Sequence, residues 1–73
     1  MKAIILEAIN EVVTGKGQEA LAALKTETRL REDLELDSFD LAELTVRIEE
    51  KTGKDIFEDG IVDTVGEILD VLE

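Results

Sequence analysis

Apolar side chains at Ile5, Ile9, Val12 and Val13 recur at helical spacing, and Met1, Leu6 and Ala8 widen the same stripe. The pattern predicts a helix over residues 2–14. Gly15 and Gly17 bracket Lys16, and glycine just past a helical repeat is a stop signal. No repeat follows over residues 18–36. Within that connection, residues 18–24 are expected to form a short helical stretch with Leu21 and Leu24 facing inward. Leu30, Leu34 and Leu36 then alternate, as in an extended loop anchored on the core. A connection this long inside a small domain is uncommon, and points to function or to docking by its own side chains.

Leu41, Leu44, Thr45 and Ile48 share one face of a second predicted helix, which starts at Asp37 or Ser38 and ends near Thr52. Asp37 suits the N-cap, and Asp40 three residues on completes a capping-box-like pair. Asp37, Asp40 and Glu43 lie in the first turns and Lys51 and Lys54 near the end, both favourable to the helix dipole. Gly53 stops the helix. A short turn or third helix is expected over residues 55–59, anchored by Ile56 and Phe57 and broken at Asp59-Gly60. Thr64-Val65-Gly66-Glu67 reads as a capping box opening the last helix, whose stripe is Val65, Ile68, Leu69 and Leu72. The expected fold class is all-α: a small four-helix bundle, with three main helices, a short third helix and a long loop after the first. One domain is expected over residues 1–73.

Composition sharpens this picture. A chain of 73 residues builds one modest core and has little interior for a deep catalytic cleft. Without cysteine or histidine, neither disulfides nor zinc staple it, so packed helices must supply the stability. Only Phe39 and Phe57 are aromatic, and an apolar share of 44% is too high for an acidic disordered tail. No stretch approaches the length of a membrane span and no cleavable signal is visible, so a cytoplasmic location is expected.

Net charge is −11 and unevenly spread. Residues 1–36 carry 5 basic and 7 acidic side chains, whereas residues 37–73 carry 3 basic and 12 acidic ones. Such a field disfavours nucleic acid and anionic membrane as partners. It favours encounter with basic protein surfaces, although acidity of this kind also simply confers solubility.

Catalytic constellations are largely missing. The absence of histidine and cysteine removes the commonest general base, metal ligand and thiol nucleophile. Calcium loops fail by spacing. With Gly60 as the central glycine, Phe57 falls on a ligand position and Gly66 where the bidentate glutamate belongs. Starting at Asp33 puts Ser38 in the glycine position and Leu44 in the glutamate position. No metal site is expected. The remaining candidate is Leu34-Glu35-Leu36-Asp37-Ser38-Phe39-Asp40-Leu41, a serine at a helix start between apolar anchors. Taken alone, such a serine reads as an N-cap.

The run Asp33-Leu34-Glu35-Leu36-Asp37-Ser38-Phe39 resembles the attachment site of acyl and peptidyl carrier proteins, usually Asp-Leu-Gly-x-Asp-Ser-Leu followed by an acidic amphipathic helix. Glu43-Leu44, Ile48-Glu49-Glu50, Gly53 and Ile56 continue the likeness. Thr64-Val65, Ile68 and Leu72 are similar to the family's last helix. The resemblance spans essentially the whole chain. Three positions depart from the pattern. Glu35 replaces the usual glycine, Phe39 replaces leucine, and Arg47 brings a cation into the second helix. The Gly-Gly signature of peptidyl carriers is absent.

The resemblance implies a non-enzymatic acyl carrier. A phosphopantetheinyl transferase would attach 4'-phosphopantetheine from coenzyme A covalently to Ser38, beside Asp37. The arm's thiol would hold the cargo as a thioester. Asp40, Glu43, Arg47, Glu49 and Glu50 would meet basic surfaces of acyl- or aminoacyl-transferring biosynthetic enzymes. Leu44, Ile48, Ile56, Phe57, Ile61 and Val62 would shelter an acyl chain, with little or no pocket open in the empty protein. A monomer is expected. Fatty acyl or polyketide cargo is favoured. An aminoacyl or D-alanyl cargo stays open, because Asp-Ser-Phe also occurs in such carriers. An acidic helical interaction module without any prosthetic group is the third reading.

Overall fold

The computed structural model describes residues 2–58 and 60–73; Met1 and Asp59, given roles above in the first stripe and in the break before Gly60, lie outside the described residues. Helix α1 spans Lys2–Gly15 and buries Ile5, Ala8, Ile9, Val12 and Val13. Their spacing of three and four residues puts all five on one face. Past the last turn, the Gly17 amide bonds Thr14 O at 3.0 Å and the Gln18 amide bonds Val13 O at 3.0 Å. These are the two bonds of a Schellman stop. Gly17 takes the left-handed position that the motif requires, with φ 86°.

Helix α2 spans Ser38–Thr52 and buries Asp40, Leu41, Leu44 and Ile48. Gly53, left-handed at φ 78°, closes it with its amide on Glu49 O. Helix α3 spans Val65–Leu72 and buries Val65, Ile68 and Leu72. The three inward faces meet in one core, to which Leu24, Leu30 and Leu36 of the first loop and Ile56 and Val62 of the second also belong. Ion pairs weld α1 to α2: Lys51 reaches Glu7 at 2.6 Å and Glu11 at 3.3 Å, and Arg47 reaches Glu11 at 3.3 Å.

The all-helical class and the three main helices agree with expectation. The first of the two short segments differs, and the second takes the turn alternative. Residues 18–24 form no helix, because Asn10 on α1 claims their backbone. Its Oδ1 accepts from the Leu21 amide at 2.7 Å and its Nδ2 donates to Leu21 O at 3.0 Å. Both groups of Leu21 are thereby withdrawn from any helical ladder, while Leu24 still reaches the core. Residues 56–58 form a turn rather than a short third helix. The Asp55 carboxylate accepts the Phe57 amide at 2.9 Å, an Asx turn that competes with helix.

The long first loop is not an extended strap throughout. Residues 30–34 coil into turns, with the Asp33 and Leu34 amides both on Arg29 O. Leu30 and Leu36 are buried at either side of this coil. The loop also lies across the start of α3: Leu30 N bonds Asp63 O at 2.7 Å, Val65 N bonds Thr28 O at 3.0 Å, and Gly66 N bonds Thr26 O at 2.8 Å.

Candidate functional site

The start of α2 is built by a reciprocal cap. Asp37 Oδ1 accepts the Asp40 amide at 2.8 Å, and Asp40 Oδ2 accepts the Asp37 amide at 3.1 Å. Ser38 is therefore the first helical residue and not the cap. Its side chain is not consumed in satisfying helix amides, and the residue is exposed. Leu36 immediately upstream is buried, which fixes where the chain enters the helix.

Lys16, just past the end of α1, ties down the entry. Its Nζ donates to Asp40 Oδ2 at 2.6 Å and to Glu35 O at 3.0 Å. The hydrogen bond from Lys16, then the Asp37 amide, hold the Asp40 carboxyl below its ordinary range; the same contact raises Lys16. Glu35 sits in the left-handed region with φ 58°, where the related motif has glycine. The bond from Lys16 to its carbonyl helps hold this costly conformation in place.

A shallow groove of about 250 Å³ opens beside Ser38, lined by Arg31, Leu41, Ala42, Thr45 and Phe57. Thr45 turns its hydroxyl onto Leu41 O at 2.8 Å.

The expected acyl-sheltering residues do not line one space. Leu44 and Ile48 have no exposed surface and border neither this groove nor the next. Both are packed inside the core that α2 shares with α1, and a close-packed interior leaves none of their surface free to wall a groove. Ile56, Ile61 and Val62 instead border a second groove, against Glu67, Asp70 and Val71 of α3, and Ile61 is 89% exposed. Only Phe57 belongs to the Ser38 groove. The groove's other α2 residues, Leu41, Ala42 and Thr45, stand at i+3, i+4 and i+7 from Ser38 and were not in the expected set. That helical spacing was available in the sequence. Arg31 had no such signal, because a folded loop brings it there.

The expected partner-facing residues also divide. Asp40 is buried and engaged by Lys16, so it presents no charge outward. Glu43 and Arg47 bind each other at 2.9 Å, and Arg47 continues to Glu11 on α1, so both are tied into the helix weld. Asp37, Glu49 and Glu50 are exposed. Two exposed apolar side chains belong to the same helix, Phe39 at 79% and Val46 at 54%. Among the described residues, no cluster of three or more acidic side chains is gathered to hold a metal ion. No helix among them is long and apolar enough to cross a membrane.

A family profile described as "Phosphopantetheine attachment site" matches residues 5–72. No curated protein and no solved structure matches the chain significantly. The prosthetic group of that family, 4'-phosphopantetheine, is held covalently through a phosphodiester. The start of α2 fits such a group: it offers an exposed hydroxyl at the positive end of a helix dipole, with a guanidinium alongside. With all three helices inside the matched span or overlapping it, the chain belongs to the phosphopantetheine attachment site family, as a carrier domain and not an enzyme.

Proposed function

We propose that Ser38 is the attachment residue and that the domain presents acyl intermediates of fatty acid or polyketide type as thioesters. The observation that carries this reading is the division of labour at the α2 start. Asp37 and Asp40 do the capping, which frees the Ser38 hydroxyl at the mouth of an apolar groove. When attached, the prosthetic group supplies a terminal thiol that carries the cargo. The protein supplies the nucleophilic hydroxyl, the counter-charge and the groove wall of Leu41, Ala42 and Phe57.

A carrier domain works through a phosphopantetheinyl transferase and through biosynthetic enzymes. For docking them we favour the exposed set of Asp37, Phe39, Val46, Glu49 and Glu50 over the wider acidic one. Its carboxylates steer basic surfaces and its two apolar side chains give them contact area. The chain acts as a single monomeric domain in the cytoplasm in this reading.

Intact-mass measurement after incubation with coenzyme A and a broad-specificity transferase tests the assignment. One added phosphopantetheine on the wild type, and none on Ser38→Ala, is the expected result. A Ser38→Ala protein that still gains the mass overturns it. Melting temperature then separates cargo classes. Each methylene laid into the groove contributes roughly 0.8 kcal/mol, so a medium-length acyl form should melt above the unacylated form. An unchanged melting temperature would favour the aminoacyl or D-alanyl alternative, to which Asp37-Ser38-Phe39 also conforms.

A further inference from the structure

Arg29, Arg31 and Arg47 are the chain's three arginines, and they are not equivalent. Arg29 is paired with Glu32 at 2.9 Å, and Arg47 with Glu43 at 2.9 Å and Glu11 at 3.3 Å. Arg31 forms no ion pair among the described residues, although it is exposed in a chain with 19 acidic side chains. The local structure explains why. Both acids that follow it are engaged elsewhere: Glu32 on the Arg29 guanidinium, and Asp33 on the Arg29 amide at 2.8 Å. Arg31 instead turns across the coil to the start of α2, with Nη2 at 3.5 Å from Ser38 Oγ.

That contact is at the outer limit of a hydrogen bond, so a neutral hydroxyl does not saturate the guanidinium. An anionic oxygen is a stronger acceptor, and the planar guanidinium fork suits phosphate better than a lysine ammonium does. The backbone that carries it is anchored. Leu30 and Leu36 are buried on either side of the coil, and the Leu36 amide closes it on Leu30 O at 3.1 Å. Loading also adds a negative charge next to the exposed carboxylate of Asp37, and Arg31 is the cation bordering the same groove.

We propose that Arg31 is a positioning residue, the built-in counter-cation of a phosphodiester at Ser38. This rests on Ser38 being the attachment residue, and the test keeps the two apart. Wild-type, Arg31→Gln and Arg31→Lys proteins are loaded with phosphopantetheine, and loading is verified by mass. Their ³¹P resonances and arginine Nε–Hε signals are then followed from about 0.01 M to about 1 M salt, over which the Debye length falls from about 30 Å to about 3 Å. The Arg31 signal is expected to shift between the unloaded and loaded wild type, and high salt should reverse part of that shift. The ³¹P resonance of Arg31→Gln should be displaced from wild type and insensitive to salt, with Arg31→Lys restoring part of the salt response. An Arg31 signal identical in both states, with the same ³¹P resonance in Arg31→Gln, overturns the role while leaving the attachment site standing. Loading that persists in Ser38→Ala overturns the attachment site, and the role with it.

Discussion

Helices α2 and α3 begin with the same device and end up doing different work. Each has an N-cap acceptor on the N3 amide and an N3 carboxylate returned to the cap amide, Asp37 with Asp40 and Thr64 with Glu67. At α3 the first loop covers the opening. Thr28 O and Thr26 O take the amides of Val65 and Gly66, and a side chain on Gly66 would meet Thr26 O at 3.1 Å. At α2 the loop leaves the opening uncovered, with Ser38 exposed. Leu36 anchors the entry in the core and Lys16 ties it from the surface, leaving Ser38 in solvent with Arg31 alongside. A capping box therefore marks where a helix starts, and whether that start is a structural joint or a site depends on what lies over it.

Leu30 is where this contrast should break most visibly, being fully buried where the loop crosses α3. Leu30→Ala should cost about 2–5 kcal/mol in urea denaturation. Hydrogen exchange should quicken at the Val65 and Gly66 amides more than at Leu41; uniform acceleration would mean that the strap has no special hold on α3. Two glycines give the next largest contrast. Gly66→Ala sets a Cβ against Thr26 O, and an overpacking cost of about 1–3 kcal/mol against a helix-propensity gain of about 1 kcal/mol should leave a net loss of up to about 2 kcal/mol. Gly15→Ala has nothing within 4 Å and should gain up to about 1 kcal/mol from helix propensity, read from the same denaturation curves.

On the α2 side, Glu35→Gly should stabilise by about 0.5–1 kcal/mol. It relieves a left-handed side-chain penalty of roughly 1–2 kcal/mol, offset by glycine's greater chain entropy. A loss of stability would show that the Glu35 side chain contributes more than its backbone costs.

The smallest effect is in titration. Asp40 is lowered first by the hydrogen bond from Lys16, and Glu67 first by the Asp63 amide and then the Thr64 amide. Both contributions are present above the ordinary carboxylate values, and are lost as pH falls through the lowered folded ones. Lys16, raised by Asp40, has the opposite sign: its contribution is present below 10.5 and is lost as pH rises through its raised value. Carboxyl ¹³C titration of Lys16→Met should move Asp40 back upward and leave Glu67 where it was. Equal movement of both would deny that the two caps differ in their source of stabilisation.

Much of this molecule was legible along the chain, because the signals are local. The five-residue face of α1, both capping boxes and the stop at Gly53 depend on neighbours within a few positions. Segments under rival claims on their backbone are harder to read. Residues 18–24 have helical composition, but Asn10 on another element takes the Leu21 backbone, and Asp55 turns residues 56–58 away from a helix.

By itself the sequence determined the three helices, the all-helical class and Ser38 at the head of the second, since helical periodicity and capping are read within one or two turns. Only the tertiary structure decided which charges face outward. Asp37 and Asp40 read as the two halves of one capping box, and only the contact with Lys16, 24 residues from Asp40, shows which of them is buried and paired. The same holds for the cation beside Ser38, which a folded loop selects from three arginines by occupying the acids around it. Contacts between distant positions set burial and pairing, which local sequence patterns do not carry.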